Sequence, residues 1–101
     1  MVKEITTYQD YTSAINSSRK VLICFCAAYC APCRKIGPSL DALQKEFQNK
    51  ALIYKVDVSL VPRAMAEQNV EAMPCFRGFV GGKVVFANTG FNLLKIKEFL
   101  K

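Results

Sequence analysis

The strongest constraint on this chain is the apolar run Val21-Leu22-Ile23-Cys24-Phe25-Cys26. Apolar and polar positions do not alternate in it, so both faces of the strand it forms must be covered by protein. Such a strand belongs in the middle of a sheet with a layer on each side. A chain of 101 residues makes one domain, residues 1–101, and buries about two-thirds of its unfolded surface, enough for such layers. Extended to Ala31, the apolar run has 11 residues, well short of the roughly 20 that a membrane span needs.

The rest of the chain arranges itself around that strand. Val2 to Ile5 reads as a short first strand. Thr7 is a helix N-cap, with Tyr8, Tyr11 and Ile15 on one face of the helix that follows, and Asn16-Ser17-Ser18 ends it. A long helix is predicted over 33–47, with Ile36, Leu40, Leu43 and Phe47 in one apolar stripe and a kink at Pro38. Ala51 to Val58 reads as a second buried strand, and Ser59 as the cap of a short helix over Pro62 to Gln68. Cys75 to Val80 and Lys83 to Ala87 flank Gly81-Gly82, a hairpin signal. Asn92 caps a last helix with Leu93, Ile96 and Leu100 on its inner face. The order is β-α-β-α-β-α-β-β-α. A helix crossover makes the second and third strands parallel, and the hairpin adds antiparallel ones. The fold class is α/β, in three layers: a central mixed β-sheet flanked by helices.

Cysteine dominates the possible chemistry. There are 5 cysteines and no His, which excludes Cys-His and Ser-His nucleophile pairs and His-ligated metals. An odd count cannot pair completely. Cys24, Cys26, Cys30 and Cys33 are bunched, unlike the dispersed cysteines of a secreted disulfide framework. The polar start, Met1 to Asp10, has no signal-peptide core, so the expected setting is a reducing one, the cytoplasm.

Cys30-Ala31-Pro32-Cys33 lies where the central strand gives way to a helix, the context in which Cys-x-x-Cys signals redox chemistry. At a helix N-terminus, free N–H groups and the dipole favour a thiolate, which is the nucleophile in disulfide exchange. Cys30 can therefore attack a disulfide, and Cys33, one turn on, can resolve the mixed disulfide. Pro32 fixes the first turn, and Arg34 and Lys35 add positive charge. A zinc knuckle would need two further ligands. Cys24 and Cys26 are the candidates, but they lie side by side on one face of a buried strand, so no metal is expected.

At these residues the chain resembles the thioredoxin family, over nearly its whole length. The pattern is Phe25-Cys26-Ala27-Ala28-Tyr29-Cys30-Ala31-Pro32-Cys33-Arg34, with Pro38 after it, Met73-Pro74 before a later strand, and Gly82 and Gly90 beyond. The resemblance implies a thioredoxin-like fold and a protein-disulfide reductase, with Cys30 as nucleophile and Cys33 resolving, so that the two form a redox-active disulfide when oxidised. It implies a cis Pro74 facing the dithiol and a substrate-docking surface of Tyr29, Ala31, Pro32, Met73, Pro74, Gly90 and Phe91. The partners it implies are protein disulfides and, as electron donor, thioredoxin reductase with NADPH. No cofactor is held by the chain itself, and it works as a monomer.

The chain departs from the family at several positions. Cys24 stands where a buried Asp is usual, and a thiol in an apolar site is a poorer proton acceptor. Lys55 matches a Lys that normally neighbours that Asp; it reads as a strand lysine whose ammonium snorkels to solvent, the alternative being Asp57, on the same strand face, as a substitute partner. Cys75 follows Pro74 where Thr is usual and should border the dithiol, where it either modulates the site or simply fills the core. Cys26 reads as core.

The net charge of +6 does not make a nucleic-acid site, because Lys3, Arg19, Lys50, Lys83 and Lys101 are scattered and no aromatic series accompanies them. The alternatives to a reductase are a binding module with an idle dithiol, a metal or iron–sulfur carrier, and oxidase or isomerase work at a higher potential.

Overall fold

The computed structural model describes residues 1–101. In chain order its elements are β1 (Lys3–Ile5), α1 (Tyr8–Ile15), β2 (Lys20–Cys26), α2 (Ala31–Lys35), α3 (Gly37–Glu46), β3 (Ala51–Asp57), α4 (Pro62–Glu67), β4 (Cys75–Val80), β5 (Lys83–Thr89) and α5 (Leu93–Leu100). The strands form one sheet in the order β1-β3-β2-β4-β5, with the apolar run at its centre as β2. β2 pairs in parallel with β3 and antiparallel with β4, so the sheet is mixed as expected.

Residues alternate strictly between the two faces of β2. Val21, Ile23 and Phe25 join one core cluster, to which α1 and α4 contribute Tyr11, Ala14 and Ala64. Leu22, Cys24 and Cys26 join the other, with Leu40 and Leu43 of α3 and Ile96 and Leu100 of α5. This gives three layers, with α1 and α4 on one side and α3 and α5 on the other.

Two of the predicted caps are present. Thr7 Oγ1 accepts from the Asp10 N–H at 3.1 Å, and Asn92 Oδ1 accepts from the Lys95 N–H at 3.1 Å. Three local expectations need correction. The helix predicted over 33–47 is two helices divided at Ile36, not one kinked at Pro38. Pro38 has no N–H to donate to the Arg34 carbonyl, and its ring crowds that carbonyl, so the break falls ahead of the proline, which then opens the new helix. Ser59 does not cap α4. Val61 holds that position without a side-chain bond, while Ser59 donates its N–H and hydroxyl to Asp57 Oδ1 at 2.9 and 2.6 Å. Leu93 is 43% exposed rather than inward-facing, leaving Ile96 and Leu100 to anchor α5.

Candidate active site

The site lies at the C-terminal end of β2, where the strand delivers the chain into α2. Cys30 is the N-cap of α2, and its sulfur accepts the backbone N–H of Cys33 at 3.3 Å. Pro32 lies in the first turn, where a missing N–H costs nothing. The Arg34 guanidinium donates to the Ala28 carbonyl and ties α2 back to the loop it leaves. Cys30 is half-buried and Cys33 buried, so one sulfur can meet a large substrate and the other cannot. All five cysteines are free thiols here.

Burial pushes the Cys33 thiol up to about 12, and its hydrogen bond with Cys30 adds to the rise. Beneath it the strand alternation aligns two further thiols. The Cys24 and Cys26 sulfurs are 2.9 Å apart, both within the core cluster that holds Cys33. Cys24 is pushed well above the ordinary thiol range, first by its hydrogen bond to Cys26 and then by burial. Cys26 goes the other way, lowered chiefly by the bond that Cys24 gives it.

A cavity of about 220 Å³ opens beside these sulfurs, lined by Glu4, Cys26, Cys33, Lys55 and Asp57 among others. Lys55 and Asp57 thus share the thiol face, but they form no ion pair. The ion pairs in the chain are Arg63–Glu67 and Lys97–Glu46, and the Asp57 carboxylate is engaged by Ser59. Asp57 is therefore not a substitute partner for Lys55. The Lys55 ammonium instead packs at the helix junction, with Nζ 3.6 Å from where a Cβ on Gly37 would stand.

The Met73–Pro74 peptide bond is cis, the geometry that the resemblance implies. Cys30 and Met73 are half-buried against both core clusters, which places them at the end of the sheet where its two faces meet. The Gly90 N–H donates to the Pro74 carbonyl at 2.8 Å, and Gly90 has a φ of +81°, a conformation that suits a residue without a Cβ. Tyr29, Ala31 and Pro32 are exposed around Cys30, Tyr29 at 73%. Pro74 itself is buried, and Phe91 packs on Phe76 at 6.0 Å between ring centres, so these two support the surface more than they form it.

Cys75 lies on the opposite face of the sheet from Cys24, Cys26 and Cys33. Its sulfur accepts from Arg77 Nη1 at 2.9 Å and is 3.9 Å from Thr89 Oγ1. Glu4, which the sequence did not single out, reaches the cavity because its register partner on β3 is Lys55. Cys26 was legible as a face-mate of Cys24, but its position at the cavity wall was not.

Known proteins match this arrangement along the whole chain. The thioredoxin family model matches residues 2–101. Thioredoxin 1 of Plasmodium falciparum is 30% identical over 101 residues, covering 100% of this chain and 96% of its own. Thioredoxin-2 of Pyricularia oryzae is 37% identical over 98% of this chain, which spans only 57% of that longer protein. Among solved structures, Fasciola hepatica thioredoxin superposes with a TM-score of 0.88 at 35% identity, covering 98% of this chain and 96% of its own. With a dithiol at the mouth of α2 and this likeness from end to end, the chain belongs to the thioredoxin family of thiol–disulfide oxidoreductases.

Proposed function

We propose that the chain reduces protein disulfides, with Cys30 as the attacking thiolate and Cys33 as the resolving thiol. The observation that carries this is the asymmetry of the pair: Cys30 is accessible and receives the Cys33 N–H, while Cys33 is buried one turn along. The Cys30 thiolate attacks one sulfur of a substrate disulfide. That S–S bond breaks, the substrate's other sulfur leaves as a thiolate and takes a proton, and a mixed disulfide forms. Cys33 then loses its proton and attacks the Cys30 sulfur. The Cys30–Cys33 disulfide forms as the second substrate sulfur leaves. The substrate has gained two electrons and the chain has lost two.

Tyr29, Ala31 and Pro32 offer the exposed rim for an extended substrate segment, with Met73, Pro74, Gly90 and Phe91 behind them. Lys55 supports the site through its positive charge beside the buried thiols. Recycling needs an external electron donor, and family membership makes thioredoxin reductase with NADPH the natural one. A dithiol reductase is kept reduced in a reducing compartment such as the cytoplasm, the setting proposed here. No helix is long and apolar enough to cross a membrane.

Insulin reduction with dithiothreitol as the electron source tests the assignment. Cys30→Ser should bring the rate down to the uncatalysed background, and Cys33→Ser should accumulate a mixed disulfide through Cys30. A Cys30→Ser protein that retains half of the wild-type rate would overturn it.

A further inference from the structure

A buried thiol that holds its proton up to about 12 cannot resolve a mixed disulfide at neutral pH unless something nearby accepts that proton. In the core cluster that holds Cys33, the residues of β2 nearest the site are two further thiols, Cys24 and Cys26. Cys24 is a poor acceptor. It is wholly inaccessible to solvent, and its thiol already engages the Cys26 sulfur at 2.9 Å.

We propose that Cys26 is the group that accepts the Cys33 proton during resolution, with Cys24 as the hydrogen-bond donor that keeps Cys26 ready for it. Three observations converge on this. Cys26 is the residue of β2 that touches both Cys24, through its sulfur, and the cavity that Cys33 also lines. It is 8% exposed where Cys24 is fully buried, so a proton can leave it for the water-accessible cavity. The Lys55 ammonium lines the same cavity and favours a negative charge there.

The other charged residues of the cavity are Arg34 from α2, positive, and Glu4 from β1 and Asp57 from β3, negative, so that with Lys55 the wall carries two charges of each sign. Among the thiols, the Cys24 bond, the Cys33 thiol and Lys55 lower Cys26, while Cys24 and Cys33 are both raised. The step balances simply. The Cys26 thiolate takes the Cys33 proton, the Cys33 thiolate attacks the Cys30 sulfur, and the departing substrate thiolate is protonated from Cys26 or from cavity water.

The proposal rests on Cys33 being the resolving residue, and one experiment separates the two claims. Reduced protein mixed with an aromatic disulfide such as dithionitrobenzoate releases one chromophore when Cys30 attacks and a second when Cys33 resolves. A Cys33→Ser protein that still releases the second would refute the resolving role itself. With that role intact, Cys26→Ser should slow only the second release, by about tenfold or more near neutral pH, and move its pH profile upward. Cys24→Ser keeps a donor and should stay within about threefold of the parent, while Cys24→Val removes the donor and should slow the second release by an intermediate factor. An unchanged profile in Cys26→Ser overturns the proposal, as does a Cys24→Ser protein as slow as Cys26→Ser. An unaltered first release serves as the check that each variant is folded. A direct measurement does not depend on Cys26 variants. In a Cys30→Ser/Cys75→Ser protein, the ultraviolet thiolate absorbance should show Cys26 titrating below the ordinary thiol value of 9.0. No thiolate below that pH refutes the idea.

Discussion

On one face of β2 stand Val21, Ile23 and Phe25; on the other stand Leu22, Cys24 and Cys26. The same strand feeds both cores, yet the two are built differently. The first is aliphatic and aromatic, with Tyr11 packed among Tyr8, Phe25 and Phe79 at ring-centre distances of 5.9 to 6.3 Å. Its one cysteine, Cys75, is held by Arg77 at the sheet end. The second carries three thiols on the path from the sheet to α2 and opens at a cavity. A period of two residues is enough to separate a packing face from a chemical one. Substitutions on the first face should therefore cost stability, and those on the second should change reactivity.

The sharpest way to break this contrast is Phe25→Ala. Phe25 is fully buried and holds Tyr11 from the sheet side, so its loss leaves a cavity that α1 cannot close. The expected cost is about 3–5 kcal/mol in denaturant unfolding, a large share of what a domain of this size has. A cost under about 1 kcal/mol would mean that this face is not the structural one.

Alkaline unfolding sharpens the same contrast, because each face holds a proton that the unfolded chain gives up earlier. Cys33 keeps its proton to about 12 against 9.0 for an ordinary thiol, and Tyr11 to about 12 against 10.0, both mainly through burial. Between the unfolded and folded values the unfolded state binds fewer protons, so stability is complete below pH 9 and falls as the pH rises toward 12. The decline should begin on the thiol side and steepen above pH 10 as the phenol joins. Cys24 is raised from the same 9.0, so Cys33→Ala should make the early decline shallower, a Cys24→Val/Cys33→Ala pair should delay its onset toward pH 10, and Tyr11→Phe should flatten the steeper part. A decline that starts at the same pH in the paired variant would place the early loss elsewhere.

The same division explains what could be read in the sequence. The central strand, the mixed sheet, the cis Pro74 and the Cys30–Cys33 pair at a strand-to-helix junction follow from local patterns or from the family resemblance. Capping by Thr7 and Asn92 is local too, since each side chain reaches an N–H three residues on. Expectations failed where a partner distant in sequence, or a backbone bond, decides. Pro38 acts through the carbonyl four residues before it, so the helix divides at Ile36. Leu93 has the right spacing for the inner face, but spacing does not say how far along α5 the layer reaches. Asp57 and Lys55 share a face, yet Ser59 claims the carboxylate. Cys26 is core as expected, but alternation assigns only a face and says nothing about the cavity that opens beside it.

The smallest expected effect probes the packing face from within. The Tyr11 hydroxyl is buried without a hydrogen-bond partner, while its ring is surrounded by aromatic and aliphatic neighbours. A buried polar group left unpaired costs about 1–3 kcal/mol, and removing it without changing the ring recovers part of that. Tyr11→Phe should therefore raise stability by about 1 kcal/mol, or about 4–8 °C in Tm, and leave insulin reduction unaltered. If this face is purely structural, the two readouts separate cleanly. A Tyr11→Phe protein that is destabilised would show that the hydroxyl is bonded in solution, and one that loses activity would show that the packing face reaches the dithiol after all. The second result is the more damaging to the comparison, because Tyr11 meets β2 through Phe25, at 6.3 Å between ring centres, and that strand carries the thiols on its far side.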